Sequence, residues 1–158
     1  MREVIYAMRF SGQAEPVGEV GNVWRAATSA PSSTLTSRVG AEGLTGLLAA
    51  VPGEKATFES EVTFTGETSF QEVGTIGFGE SHQLRFSTVG SGYLAPSADS
   101  HRKHGTVMWR VDGGEGQFTG ASGLITSNFF VDERLNMVDH HFGVLLVPCG
   151  GSQSRGGP

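Results

Sequence analysis

The sequence has few of the features that mark secreted or membrane-spanning proteins. Its only cysteine is Cys149, so no disulfide can form within the chain and a disulfide-stapled secreted domain is not expected. No segment approaches the roughly 20 apolar residues that a membrane-spanning helix needs, and the first residues contain no apolar run typical of a signal peptide. We therefore expect a cytoplasmic protein with no membrane partner.

Positive charge is also scarce. The chain has 11 Lys and Arg residues against 16 Asp and Glu residues, which gives a net charge of −5. A nucleic-acid-binding protein needs a basic face to neutralise phosphates, so no nucleic-acid partner is expected. With 158 residues, 37% of them hydrophobic, the chain is long enough to bury one core and is typical of a single globular domain.

Glycine, in contrast, is abundant. The 24 glycines recur in short groups between apolar runs, where they indicate turns and bulges. Between Gly105 and Val131, apolar and polar residues alternate on both sides of Gly-rich turns, which is the pattern of antiparallel strands with one buried face. The segments predicted as strands are 4–10, 22–29, 56–65, 72–78, 81–89, 106–112, 124–131 and 136–147.

About eight short strands with little helix predict an all-β fold. Antiparallel strands in this number most naturally close into a single barrel, because closure removes exposed edges, and such a barrel is just wide enough for one small ligand. We assign residues 1–148 to this domain and predict a disordered Gly/Ser-rich tail at 149–158. Segment 43–51 fits either a short helix or a buried strand, and 90–104 is predicted as a long loop that could act as a lid.

One segment carries a resemblance to a known fold family. In WRVDGGEGQFTGASGLITSNFFVD (109–132), a strand with Trp109 is followed by the pattern G-x-G-x-F-x-G-A-x-G. The matching residues are Gly114, Gly116, Phe118, Gly120, Ala121 and Gly123. The segment resembles uncharacterised bacterial proteins that share the allene-oxide-cyclase-like barrel, a closed eight-stranded antiparallel fold.

The resemblance implies a function as well as a fold. Characterised barrels of this group include cyclases and isomerases that hold a flexible, mostly apolar substrate inside the barrel without a metal or nucleotide. We therefore expect a cofactor-independent isomerase or cyclase, or a related lyase, that acts on a small apolar metabolite. The resemblance also implies a homo-oligomer, a dimer or a trimer. Two alternatives stay open, a non-catalytic barrel that binds a small hydrophobic ligand and a filled structural barrel.

Alternation along the predicted strands selects candidate site residues. In the last strand His140 shares an apolar face with Val138 and Phe142, and this face is predicted to point into the barrel. An imidazole there could act as an acid or a base near neutral pH. The candidates chosen in this way are His140, His82 and Tyr6 as catalytic residues, and Trp109, Phe86, Phe142 and Tyr93 as ligand-binding residues.

The sequence does not predict a metal or phosphate site. His101 and His104 form an H-x-x-H pair, but the adjacent His140 and His141 must point to opposite faces of a strand, so no set of ligands converges. The Gly-rich stretch 114–120 precedes a predicted strand rather than a helix, so a turn with a bulge is expected instead of a phosphate loop. No cofactor is expected.

Overall fold

A computed structural model describes residues 1–150, so the predicted disorder of 151–158 lies outside the described residues. Strands dominate this part of the chain, and it contains one single-turn 3₁₀ helix at Gly116–Phe118. The strands are β1 (Arg2–Pro16), β2 (Val23–Ala30), β3 (Ser33–Gly40), β4 (Gly43–Ala50), β5 (Ala56–Phe64), β6 (Ser69–Phe78), β7 (Gln83–Thr88), β8 (Gly92–Pro96), β9 (Arg102–Glu115), β10 (Ser122–Asp132) and β11 (Asn136–Val147). None of the helical structure in the described part is long and apolar enough to cross a membrane.

Eight of the strands close into an antiparallel barrel, as predicted. Their order around the barrel is β10, β11, β1, β2, β5, β6, β7 and β9, and the pairing of β9 with β10 completes the circle. The short strand β8 is additional and pairs with both β6 and β9. Strands β3 and β4 form a separate two-stranded hairpin between β2 and β5.

Two segments differ from their sequence-based descriptions. Segment 43–51 is neither a helix nor a buried strand, because Gly43–Ala50 is the exposed second strand of the hairpin. Segment 90–104 is not a long loop, because Gly92–Pro96 forms β8 and β9 already begins at Arg102. In both segments strand pairing, which is a non-local contact, decides a conformation that local composition leaves ambiguous.

Aromatic rings placed opposite glycines fill much of the barrel. In the strand register Tyr6 faces Gly143, and Phe129 faces Gly105. A Cβ atom at either glycine would overlap the opposing ring, so these rings lie flat across the neighbouring strand. The other pairs of this kind are Phe70 with Gly92 and Phe86 with Gly74. Glycine here makes room for aromatic packing, a device known to stabilise strand pairs.

The two ends of the barrel differ. At one end, Phe78 packs edge-on against Tyr6 at 5.4 Å between ring centroids, and its ring is tilted against that of Phe118 at 5.3 Å. Phe118 belongs to the 3₁₀ turn that follows β9, so this turn helps to close the end. The opposite end, at the start of β6 and β11, contains an open cavity.

Candidate functional site

The open end of the barrel holds a cavity of about 510 Å³. This volume lies within the range of small-molecule sites, which are mostly apolar with a few convergent polar groups. The apolar wall includes Ala26, Val62, Phe64, Phe70, Leu94, Phe129 and Met137. Strand alternation produces this wall, because every second residue of each strand points inward. A ligand of metabolite size therefore fits in the barrel.

Glu72 provides one polar group at this cavity. It lies on the inward face of β6, in the same phase as Phe70 and Ile76, and is buried. The Ser60 hydroxyl donates to its Oε1 at 2.6 Å, and the Trp109 indole N–H donates to its Oε2 at 3.1 Å. Burial raises the pKa of Glu72 to about 8, the two hydrogen bonds lower it only in part, and the charge of Asp139 raises it further. At neutral pH this carboxyl group therefore holds a proton.

Asp139 provides the second carboxyl group. It lies on the inward face of β11, is 2% exposed and lines the same cavity. The Ser127 hydroxyl donates to its Oδ1 at 2.6 Å, and its Oδ2 lies 2.9 Å from His141 Nε2. Because a carboxylate only accepts hydrogen bonds, the Nε2–H of His141 donates to it.

The two carboxyl groups belong to two buried hydrogen-bonded clusters that meet through an aromatic contact. The His141 ring forms a T-shaped contact with Trp109 at 5.0 Å between ring centroids and stacks on Phe10 at 4.2 Å. Trp109 bonds Glu72 and His141 bonds Asp139, so the two aromatic side chains join the carboxyl groups across the barrel. Each acid is thus held by two hydrogen bonds before any ligand enters, and a fixed position of this kind favours proton transfer.

Charged side chains of both signs surround the mouth of the cavity. They are the acidic Glu67, Asp132 and Glu133 and the basic Arg102 and Lys103, and His101 lies beside them. Arg102 is held in place, because its Nε donates to Asp99 at 2.9 Å and its guanidinium lies 4.2 Å from the Phe130 ring centroid. The rim is thus polar, whereas the interior is mostly apolar.

The structure corrects the predicted orientation of His140 and Phe142. Both lie on the outer face of β11, and it is the neighbouring residues Asp139 and His141 that point inward. Partial burial, followed by the charge of Arg9, lowers the pKa of His140. The prediction assumed that the more apolar face is the inner one. This assumption is wrong for β11, because its inner face carries the hydrogen-bonded Asp139 and His141 while apolar residues of its outer face are exposed.

His82 and Tyr93 also lie outside the barrel interior. His82 is exposed just before β7, where its Nδ1 accepts a hydrogen bond from the Gln117 backbone N–H at 3.0 Å. It therefore supports the turn at the closed end instead of lining the interior. Tyr93 is exposed on β8, and it is the next residue, Leu94, that lines the cavity.

The other predicted residues point inward but do not line the cavity. Trp109 and Phe86 are buried and pack on each other at 4.4 Å between ring centroids. Trp109 acts on the site through its bond to Glu72. Tyr6 lies near the closed end, where burial, followed by the charge of Asp139, raises its pKa, and its hydroxyl has no partner among residues 1–150.

Sequence reasoning missed Glu72 and Asp139. A signal for Glu72 was present, because it is an acidic residue in the inward phase of a strand that otherwise carries Phe70, Ile76 and Phe78 on that face. For Asp139 the signal was weaker, because both faces of β11 contain apolar residues. An acid on an apolar face is costly unless it is paired, which makes it a candidate for function.

In the described part of the chain, no three His, Cys, Asp or Glu side chains come together in a way that could hold a metal ion. Comparison with protein families, with curated proteins and with solved structures finds no match to this chain. The resemblance to the allene-oxide-cyclase-like barrel therefore stays a prediction, and the geometry of the site is the basis for inferring a function.

Proposed function

We propose that the protein is a cofactor-independent isomerase or cyclase that acts on a small, mostly apolar metabolite in the open end of the barrel. The observation that carries this proposal is an apolar cavity of about 510 Å³ lined by both Glu72 and Asp139. A carboxylic acid kept neutral by an apolar site and a second carboxylate nearby form an acid and a base in one pocket.

The two groups support a proton-transfer mechanism. Asp139, held by Ser127 and His141, takes a proton from a carbon or hydroxyl of the substrate. Glu72 donates its proton to the oxygen or carbon where negative charge develops. The substrate gains one proton and loses one, so its composition is unchanged, as isomerisation or cyclisation requires. The apolar walls restrict the substrate to reactive conformations.

The two alternative functions explain fewer features of the site. A non-catalytic barrel for a hydrophobic ligand needs the apolar walls but not two buried carboxyl groups, whose desolvation is costly. A filled structural barrel agrees with the aromatic packing at the closed end. It does not account for an open cavity of ligand size at the other end.

The proposal is tested by incubating the protein in deuterium oxide with an organic-solvent extract of the cells that produce it. With the wild type, one compound should give way to a product of the same composition that carries solvent deuterium, detected by mass spectrometry. Glu72→Gln and Asp139→Asn should each lower this conversion about 100-fold or more, as expected for loss of a general acid or base. His140→Gln, a variant of the exposed histidine on the same strand, is the matched control and should convert normally.

Native mass spectrometry of the same mixture distinguishes the three functions. A compound that is bound and converted supports the enzyme, and one that is bound without conversion or deuterium exchange supports the binding barrel. If no compound from the extract binds, the cavity has no ligand of this class and the filled barrel is favoured.

A further inference from the structure

The hairpin β3–β4, here called the arm (residues 33–50), exposes an apolar face. In its register Leu35 lies opposite Leu48 and Val39 lies opposite Leu44, so these side chains share one face. Val39 is 83% exposed and Leu44 is 72% exposed. The arm forms a two-stranded sheet of its own, with no strand pairing to the barrel. Such a hairpin is marginally stable in water, and exposed apolar faces of this kind mark interaction sites.

The outside of the barrel carries a second apolar surface, here called the outer patch. It consists of Ile5, Ala7, Leu124, Phe142, Val144 and Leu146. The register places these residues side by side, because Val144 is opposite both Ile5 and Leu124, and Phe142 is opposite Ala7. Ile5 is 58% exposed and Phe142 is 51% exposed. The outer patch is therefore an apolar surface that spans three neighbouring strands.

The arm and the outer patch lie at the same end of the barrel. The arm leaves the barrel after Ala30 and returns at Ala56, which pairs with Phe78 of the aromatic group that closes this end. The outer patch is formed by the first half of β1, the start of β10 and the end of β11, which meet at that end. Along residues 2–10, β1 pairs only with β11, so its other edge has no strand partner within residues 1–150.

We propose that the arm of one copy of this chain packs on the outer patch of a second copy, and that the reciprocal contact gives a two-fold symmetric dimer. Both surfaces are apolar, and the arm carries one cation, Arg38, and one anion, Glu42, so it brings no net charge to the contact. Contact at the closed end leaves the mouths of both cavities free. The proposal does not depend on the proposed enzymatic function.

The available area favours this arrangement over contact between the arms alone. Each arm strand has eight residues, so at about 3.4 Å per residue and about 4.8 Å between strands one arm face covers roughly 260 Å². Two reciprocal contacts between arm and patch then cover roughly 1,040 Å² counted on both copies, close to what stable interfaces bury. Two arms packed on each other would cover only roughly 520 Å², which is typical of weak contacts.

The oligomeric state of the full chain tests the proposal by sedimentation and light scattering. The wild type should be a dimer at micromolar concentration, and Val39→Glu/Leu44→Glu should raise the dimer dissociation constant about 100-fold or more, because charge would be buried in an apolar contact. Thr36→Glu/Thr45→Glu, on the other face of the arm, and Val73→Glu, an exposed valine on β6, should stay dimeric. A native circular dichroism spectrum shows that each variant is folded.

Disulfide cross-linking between introduced cysteines tests whether the arm of one copy contacts the outer patch of the other. In a Cys149→Ser background, a mixture of Val39→Cys and Phe142→Cys proteins should form mixed disulfide dimers, whereas Val39→Cys alone should not cross-link. A monomeric wild type, a dimer that tolerates both glutamates in the arm, or efficient cross-linking of Val39→Cys to itself would each overturn the proposal. Binding of a monomeric wild type to phosphatidylcholine vesicles would assign the apolar surfaces to a membrane instead and would also overturn it.

Discussion

At the scale of single residues, the decisive feature is the cost of placing Glu72 in the apolar interior. Its hydrogen bonds from Ser60 and Trp109 favour the ionised form, yet burial outweighs them and raises its pKa to about 8. The same burial would weaken the fold if the carboxyl group were ionised, so stability and the proposed acid role of Glu72 both depend on this proton.

Stability should therefore fall as pH rises between about 4.5 and about 8, because the native Glu72 keeps a proton that the unfolded chain has already released. The expected slope from this group is about 1.4 kcal/mol of unfolding free energy per pH unit. Glu72→Gln keeps the shape of the side chain but cannot ionise, so its unfolding free energy should lack this pH dependence. The variant should therefore become increasingly more stable than the wild type from pH 5 to pH 8. Urea unfolding at each pH measures this, and exposed Glu59→Gln is the control. Parallel curves for wild type and Glu72→Gln would show that Glu72 ionises normally.

At the scale of elements, β11 shows why the direction of a strand face cannot be taken from apolarity alone. Its outer face carries Phe142 and Leu146, which are exposed, while Asp139 and His141 point into the core. The inner polar residues are tolerated because they bond each other and Ser127. The outer apolar residues belong to the surface that we propose meets a second copy.

The two adjacent histidines of β11 should therefore differ in their contribution to stability. His141→Ala should lower the free energy of unfolding by about 3 kcal/mol, because it leaves a cavity between Phe10 and Phe58 and removes a donor from Asp139. His140→Ala, on the outer face, should change it by about 0.5 kcal/mol or less. Urea unfolding of both variants at one pH measures the difference. Equal losses of unfolding free energy in the two variants would contradict the inward position of His141 and the outward position of His140.

At the scale of the whole molecule, the barrel has a filled half and an open half. Tyr6, Phe78 and Phe118 fill the closed end, and the stacked Phe58, Phe86 and Trp109 fill the middle. The inward residues at the open end, which include Phe70 and Phe129, leave the cavity between them. The filled half provides most of the core, so the open half is free to carry a ligand.

Filling the cavity should then remove binding without unfolding the barrel. Ala26→Phe places a ring in the cavity and should weaken binding of the fluorescent probe anilinonaphthalene sulfonate at least about tenfold, with the free energy of unfolding changed by about 1 kcal/mol or less. Ala27→Phe, at the exposed neighbouring position on β2, should bind the probe like the wild type. Equal binding by both variants would place the probe elsewhere, and a large loss of stability in Ala26→Phe would mean that the cavity has no room for a ring.

Much of the fold could be predicted from the sequence. The alternation in 56–64, for example, predicts the observed inward face of Phe58 and Ser60, and the bounds predicted for β11 agree with Asn136–Val147. The inward positions of Trp109 and Tyr6 were predicted for the same reason. Period-two alternation is a local property, so a single sequence is enough to reveal it. The cytoplasmic location remains a prediction from the sequence.

The amino-acid sequence by itself determined the all-β class, the number of barrel strands and most inward positions, because these follow from local alternation and from glycine at turns. Only the tertiary structure decided which face of β11 points inward, that 43–50 is a strand of an exposed arm, and that Glu72 and Asp139 meet in one cavity. These properties depend on strand partners that are distant in the sequence and on whether a buried carboxyl group has hydrogen-bond donors beside it. Neither is encoded in the periodicity of a single segment.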